Sequence, residues 1–144
     1  MKMKWTDNLD SSIYQDALKI RYQVFVNEQN VPEALEVDEL EPLSHYGVIY
    51  QDGQAIATVR LYSPKAKQYK VQRVAVLKEF RKQGIGRYLM EEVEKEAKRQ
   101  GFSQLILDSQ NQAIPFYEKL NYQIVGDEFL DAGIPHHRMI KNIK

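Results

Sequence analysis

The stretch Val71–Gln100, which reads VQRVAVLKEFRKQGIGRYLMEEVEKEAKRQ, is the most informative part of the chain because its hydrophobic period changes within it. It begins with a valine-rich run that is typical of a buried strand. Gly84 and Gly86 follow, and after them apolar residues recur at helical spacing until Gly101, which suits a helix end. The predicted apolar face of this helix of about four turns consists of Leu89, Val93 and Ala97. The stretch therefore predicts a strand, a glycine turn and an amphipathic helix.

The predicted turn has the features of an anion-binding site. The first N–H groups of a helix have no partner within it, and the positive end of the helix dipole lies behind them. Gly84 and Gly86 let a ligand approach the main chain. The basic side chains beside them are Arg81, Lys82 and Arg87. A pyrophosphate would suit this turn, whereas the simpler alternative is a strand-to-helix turn with a solvated basic face.

Two common phosphate-binding motifs do not fit the turn. A dinucleotide-binding GxGxxG motif requires a third glycine where the chain has Leu89. A Walker P-loop requires Gly-Lys-Ser/Thr, whereas Arg87-Tyr88 follows the second glycine here. The phosphate ligand must therefore belong to another class.

Two segments resemble the GNAT superfamily of N-acetyltransferases. Arg81–Gly86 resembles its Arg/Gln-x-x-Gly-x-Gly/Ala signature, and Asn111–Tyr122 is similar to its Asn-x-x-Ala-x-x-Phe-Tyr-Glu-Lys-Leu-Gly-Phe segment. The second segment departs from the pattern, because one residue separates Asn111 from Ala113 and Asn121 replaces a glycine. Asparagine tolerates the left-handed conformation of a helix end, so this replacement is mild. The match covers roughly the C-terminal half of the chain.

The resemblance implies an enzyme that transfers an acetyl group from acetyl-coenzyme A to a primary amine of a small molecule or peptide by direct attack. The main chain of Val74 and Val76 would pair with the pantetheine arm, and the N–H of Val76 would polarise the thioester carbonyl. Tyr117 would be the catalytic acid that protonates the departing thiolate. The implied contacts with coenzyme A are Val74, Val76, Arg81, Lys82, Gln83, Gly84, Ile85, Gly86, Arg87, Asn111 and Phe116.

The general base stays open. Some GNAT enzymes have a glutamate early in the strand before the turn, but the comparable position here is Lys70. The candidates are Glu28, Asp38, Glu39, His45 or a chain of water molecules. With three histidines and no cysteine, we do not expect a metal site.

Charge is balanced over the chain but unevenly distributed. The 20 basic and 20 acidic residues cancel, which argues against nucleic acid or an anionic membrane as a partner. Arg60–Lys82 is mostly basic, whereas the only charged residues of Glu28–Leu43 are Glu28, Glu33, Glu36, Asp38, Glu39 and Glu41. Either the basic segment attracts the phosphates of coenzyme A and the acidic segment attracts an ammonium group, or both are solvated surfaces.

The whole chain, residues 1–144, is predicted to be a single N-acetyltransferase domain of α/β (α+β) class. We expect the GNAT-like fold, a mixed twisted sheet of about six to seven strands with helices on both faces. Met1–Asn8 lacks the apolar core of a signal peptide and no stretch is long enough to span a membrane, which predicts a cytoplasmic protein. Exposed strand edges leave a homodimer open.

The segments outside the two motifs predict the rest of the sheet. A capping box, Ser12-x-x-Gln15, predicts a helix that runs to about Asn27. Asp52-Gly53 predicts a hairpin turn, and Ser63-Pro64 predicts the next turn. The remaining predicted strands are Lys2–Thr6, His45–Gln51, Gln54–Tyr62, Tyr122–Val125 and Arg138–Ile140, with a long connection at Gly126–Pro135.

Two alternative functions remain. Arg21–Gln29, with Asp38 and His45 beyond it, resembles a GNAT subgroup of poorly defined substrate and, faintly, the acyl-homoserine-lactone synthases, which use another acyl donor. The Arg81–Gly86 turn argues against that donor. The second alternative is a non-catalytic acyl-coenzyme A sensor, and Tyr117 argues against it.

Overall fold

The computed structural model describes residues 1–33 and 37–143, so Glu36 of the acidic segment lies outside the described residues. The strands are β1 Lys2–Thr6, β2 His45–Gln51, β3 Gln54–Lys65, β4 Gln68–Val76, β5 Gln104–Gln110, β6 Gln123–Asp131 and β7 Ile134–Asn142. The α-helices whose bounds lie within the described residues are α1 Ser12–Arg21, α2 Ile85–Arg99 and α3 Ile114–Lys119. In this part of the chain, seven strands form one mixed sheet in the order β1-β2-β3-β4-β5-β7-β6, which confirms the predicted class and sheet.

The chain divides into two compact units. The first consists of Met1–Tyr62 and Arg73–Val93, and the second of Ser63–Gln72 and Glu94–Lys144. The elements β3, β4 and α2 each run from one unit into the other. The single domain expected for residues 1–144 stays a prediction. Across the described ranges, no helix is both long enough and apolar enough to cross a membrane.

The core of the first unit lies where α1 packs near the end of β4. Its buried members are Ala17, Ile20, Val24, Val48, Ala75 and Leu77. Phe25 and Phe80 pack against this cluster and are partly buried. Burial of each large apolar side chain contributes roughly 1.5–3 kcal/mol. Because Ala75 and Leu77 belong to the cluster, it fixes the part of the chain that precedes the glycine turn.

Helix α1 differs from its prediction in its N-cap and in the type of helix at its C-terminal end. The N-cap is Ser11, whose hydroxyl accepts a hydrogen bond of 3.2 Å from the N–H of Tyr14, so the capping box at Ser12 was wrong. Neighbouring serines are equally good caps, and the sequence pattern could not separate them. The α-helix ends at Arg21, and the chain continues as a π-helical segment, Tyr22–Glu28. The segment ends close to the predicted Asn27.

One predicted hairpin turn is confirmed and two connections are corrected. Asp52-Gly53 joins β2 to β3 with φ angles of 51° and 80°, as a type I′ turn requires. Ala132-Gly133 joins β6 to β7 with nearly the same angles, 52° and 76°, so the long connection at Gly126–Pro135 was wrong. The turn at Ser63-Pro64 was also wrong, because β3 continues to Lys65 and the chain turns at Ala66-Lys67. Proline is tolerated near a strand end.

The ladder between β4 and β5 is short. These parallel strands pair Gln68 with Gln104, Tyr69 with Leu105, and Lys70 with Ile106. Helix α2 is the crossover that connects them. Val74 and Val76 do not belong to this ladder, and the φ of 53° at Arg73 interrupts the regular strand just before them.

Candidate active site

The Arg81–Gly86 turn, in the first unit, presents main-chain donors. The first hydrogen bond of α2 runs from the N–H of Tyr88 to the carbonyl of Gly84, at 3.0 Å. Within residues 1–33 and 37–143, no group accepts a hydrogen bond from the N–H groups of Ile85, Gly86 or Arg87. The first turn of α2 contains no acidic residue. These donors therefore stand at the positive end of the helix dipole, where an anion binds well.

The backbone of the turn leaves room for a ligand. Gly84 has a φ of 80° and Lys82 a φ of 61°, both left-handed. A Cβ atom added to Gly84 would meet no atom within 4 Å, so a ligand can approach its main chain. The shape and the donors fit a pyrophosphate group.

The side chains of the turn differ in what they can reach. Lys82 and Arg87 are exposed, and Arg87 is only 3.4 Å from Glu91 of the same helix. Gln83 donates from Nε2 to the carbonyl of Glu79 at 3.1 Å. Ile85 is 3% exposed, so its main chain alone is available to a ligand.

The side chain of Arg81 donates its hydrogen bonds to other groups of the protein. Its Nε donates to the carbonyl of Val76 at 2.9 Å, and its two terminal nitrogens donate to the carboxylate of Glu28 at 2.5 and 2.7 Å. The hydrogen bonds from Arg81 hold the pKa of Glu28 below its ordinary value, and the same bonds raise the pKa of Arg81. A carboxylate in such a pair is a poor proton acceptor.

Tyr117 lies on α3, in the second unit, and is half-buried. Its ring makes edge contacts with Phe116 and Tyr122, at centroid distances of 5.0 and 5.7 Å. Burial raises the pKa of Tyr117 to about 12. Among the described residues, none hydrogen-bonds to its hydroxyl group, which stays protonated and available as a donor.

The Asn111–Tyr122 segment has polar contacts at its start and a left-handed residue near its end. Asn111 donates from Nδ2 to Glu128 of β6 at 2.8 Å, and its Oδ1 is 2.8 Å from Nδ1 of His137 in β7. Asn121 has a φ of 72°, the left-handed conformation expected where the family pattern has glycine. Phe116 is 37% exposed. The side chain of Asn111 therefore fixes the start of the segment to the β6–β7 hairpin.

A buried charged network in the first unit escaped the sequence analysis. Glu41 is 4% exposed, and Arg21 and Arg60 are each 1% exposed. Arg21 donates to the Glu41 carboxylate at 2.8 and 3.1 Å, and Arg60 donates to it at 2.6 Å. The hydroxyl groups of Tyr14 and Tyr46 donate to it at 2.9 and 3.0 Å. Burial opposes ionisation of Glu41, but the hydrogen bonds and charge of Arg21 outweigh it and lower its pKa to about 2.

The other candidates for the general base also have defined surroundings. Asp38 accepts hydrogen bonds from Arg60 at 2.9 and 3.1 Å and from Arg73 at 3.2 Å. Nδ1 of His45 contacts the carboxylate of Asp7. Glu39 is exposed. The acidic segment is thus partly internal, because Glu28, Asp38 and Glu41 hold arginines of the same unit, and the choice of base stays open.

Comparisons with known proteins agree with this fold. A family model described as "Acetyltransferase (GNAT) domain" matches residues 9–143. The chain is 44% identical over 129 residues to the uncharacterized N-acetyltransferase YjcF of Bacillus subtilis (strain 168), covering 89% of this chain and 91% of that protein. A solved structure from Lactobacillus plantarum has a TM-score of 0.93 at 26% identity, and the match covers 99% of this chain and 98% of that chain. An acyl-CoA N-acyltransferase from Pseudomonas aeruginosa has a TM-score of 0.86 at 28% identity, with 98% and 99% covered.

The chain belongs to the GNAT acetyltransferase family. It is an acyltransferase with the coenzyme A-binding GNAT fold, as the two motifs predicted.

Proposed function

We propose that this protein transfers an acetyl group from acetyl-coenzyme A to a primary amine of a small molecule or peptide. The observation that carries the proposal is the set of main-chain donors at Ile85, Gly86 and Arg87, which precede the first hydrogen bond of α2. They would bind the pyrophosphate group, with the exposed Lys82 and Arg87 side chains adding positive charge. Bound acetyl-coenzyme A supplies an activated thioester, and the chain contributes binding, orientation and a proton.

The main chain of Val74 and Val76 would hold the pantetheine arm. Neither residue belongs to the ladder with β5, which ends at Lys70 and Ile106. This supports a role in which their main-chain groups pair with the amides of the arm. The N–H of Val76 would also stabilise negative charge on the carbonyl oxygen, a contribution that can reach about 3 kcal/mol.

Tyr117 would donate its hydroxyl proton toward the departing sulfur. Its pKa of about 12 keeps it protonated throughout the physiological range. The burial that raises the pKa of this phenol would also raise the pKa of the coenzyme A thiol beside it. The departing thiolate is then a strong enough base to accept the proton from Tyr117. The amine attacks in its neutral form, and no covalent intermediate on the protein is required.

The first test is calorimetric titration with acetyl-coenzyme A of the parent protein, Gly84→Trp and Gly53→Trp. Gly84 and Gly53 have the same φ of 80°, and an added Cβ atom meets nothing within 4 Å at either. The two variants therefore share their backbone strain and differ in position. We expect the parent and Gly53→Trp to bind and Gly84→Trp to lose binding.

A positive titration would be followed by a screen of primary amines for release of free thiol. Failure of the folded parent to bind acetyl-coenzyme A would overturn the proposal and favour a donor carried on another protein. Binding without thiol release from any amine would favour the acyl-coenzyme A sensor. The cytoplasmic location and the homodimer stay predictions.

A further inference from the structure

We propose that coenzyme A binding depends on Glu28, which acts as a positioning residue through Arg81. Glu28 precedes Arg81 by 53 residues and lies outside both family motifs. The inference rests on the proposed function, because it concerns the same glycine turn. In this interpretation the side chain of Arg81 supports the turn, and the main chain of the turn binds the ligand.

The contacts of Arg81 bring two parts of the first unit together. Its guanidinium donates through Nε to the carbonyl of Val76 and through both terminal nitrogens to Glu28. The next amide, the N–H of Leu77, donates to the carbonyl of Ile56 at 2.9 Å. The peptide group between Val76 and Leu77 is thus held on both sides, which fixes the direction in which the chain leaves β4.

Glu28 is itself held by a packed element. It is the last residue of the π-helical segment Tyr22–Glu28, and such segments often occur at functional sites. Val24 and Phe25 of this segment share one hydrophobic cluster with Leu77 and Phe80. Apolar packing therefore holds the π-helical segment against the residues before the turn. The ion pair between Glu28 and Arg81 is a second, polar contact between the same two parts of the chain.

The geometry argues against a direct contact between Arg81 and phosphate. A guanidinium that forms a bidentate pair with a carboxylate adds little net positive charge to its surroundings. The side chains of Arg81 and Glu28 are 35% and 34% exposed, so the pair lies at the surface without being fully solvated. Arg81 can orient the turn in this state, whereas binding a phosphate through the same nitrogens would require it to leave Glu28.

The test compares the dissociation constant for coenzyme A in Glu28→Gln and in Glu79→Gln, measured by calorimetry. Both substitutions remove one negative charge near the turn, but within the described residues Glu79 forms no ion pair. We expect Glu28→Gln to weaken binding about tenfold and Glu79→Gln to change it less than about twofold. The Michaelis constant for acetyl-coenzyme A should rise in Glu28→Gln. The value of kcat at saturation should change little, because a carboxylate that is paired with Arg81 is a poor proton acceptor and so a poor general base.

Substitutions of Arg81 separate positioning from direct binding. Arg81→Met should weaken binding as much as Glu28→Gln, and the double variant should bind no more weakly than Arg81→Met. Arg81→Lys keeps the charge but cannot form the planar fork, so positioning predicts the same loss again. Full binding by Arg81→Lys, or additive losses in the double variant, would show that Arg81 acts on phosphate directly.

The outcomes distinguish this inference from the proposed function. If the folded parent fails to bind coenzyme A, or if Gly84→Trp binds as the parent does, the proposed function is wrong and this inference fails with it. If the parent binds and Glu28→Gln binds equally well, only the role of Glu28 is wrong. Circular dichroism and the melting temperature of each variant confirm that weaker binding is not a loss of fold.

Discussion

A single hydroxyl group carries the proposed chemistry at the scale of the residue. Tyr117 differs from Tyr14 and Tyr46, because the hydroxyl groups of those two tyrosines donate to Glu41. In the described part of the chain, no protein group uses the hydroxyl of Tyr117, although burial raises its pKa to about 12. A neutral, unsatisfied phenol is suited to donate to a ligand.

Replacement of Tyr117 by phenylalanine should lower kcat by about 100-fold, because general acid catalysis contributes on that order. The affinity for coenzyme A should not change, since the ring and its contacts are retained. Tyr122→Phe is the matched control, because it removes the same group from the neighbouring ring and should leave kcat nearly unchanged. Thiol release measures kcat and calorimetry the affinity; an unchanged kcat in Tyr117→Phe would remove its role as acid.

The sequence predicted Tyr117 and the glycine turn as candidate site residues, but it did not indicate the buried network around Glu41. The first two lie in short contiguous motifs, which can be recognised from neighbouring residues alone. The partners of Glu41 are Arg21 and Arg60, and their proximity exists only after α1, the acidic segment and β3 have packed. A run of acidic residues in a sequence does not show which carboxylate is buried in the fold. The pair between Glu28 and Arg81 could not be predicted for the same reason, because its two residues are 53 positions apart in the sequence.

At the scale of the element, the two type I′ turns show why one hairpin was predicted and the other was not. Asp52-Gly53 has residues that suit positive φ angles, whereas Ala132-Gly133 places alanine at a φ of 52°. The β6–β7 pairing supplies enough stability to hold alanine in this conformation. A turn signal that depends on residue type therefore missed it.

Ala132→Asn should raise the free energy of unfolding by about 1 kcal/mol, because asparagine adopts the left-handed conformation more easily than alanine. Ala132 is exposed, so the larger side chain displaces no packed group. Urea denaturation measures the change. Asp52→Asn is the control at the other turn and should have almost no effect, and a decrease in stability for Ala132→Asn would contradict the assigned turn type.

At the scale of the whole molecule, the buried network makes stability depend on pH. The pKa of Glu41 is lowered from 4.5 to about 2 by interactions that outweigh its burial, so its stabilising contribution is present above pH 4.5 and is lost as pH falls toward 2. Burial and the hydrogen bond to Glu41 raise the pKa of Tyr14 from 10.0 to about 12. That contribution is present below pH 10 and is lost as pH rises toward 12.

Glu41→Gln should lower the free energy of unfolding by about 3 kcal/mol at neutral pH, because it removes a buried negative charge that accepts hydrogen bonds from two buried arginines, Arg21 and Arg60. The variant should also lose less stability than the parent between pH 4.5 and pH 2, since glutamine does not titrate. Denaturant titrations across this range measure both effects. Glu39→Gln, at an exposed position, should behave as the parent does; an acid dependence in Glu41→Gln equal to that of the parent would contradict the role of Glu41.

The short ladder between β4 and β5 bears on the order in which the chain folds. The turns at residues 52–53, 66–67 and 132–133 join strands that are adjacent in sequence, so those hairpins close over short loops. Gln68 and Gln104 are 36 residues apart in the sequence. The ladder that joins them contains only Gln68, Tyr69 and Lys70 of β4, so few pairings offset the entropy that is lost when this long loop closes. The hairpins should therefore form early, and the parallel pairing should be among the last contacts to form and the first to open.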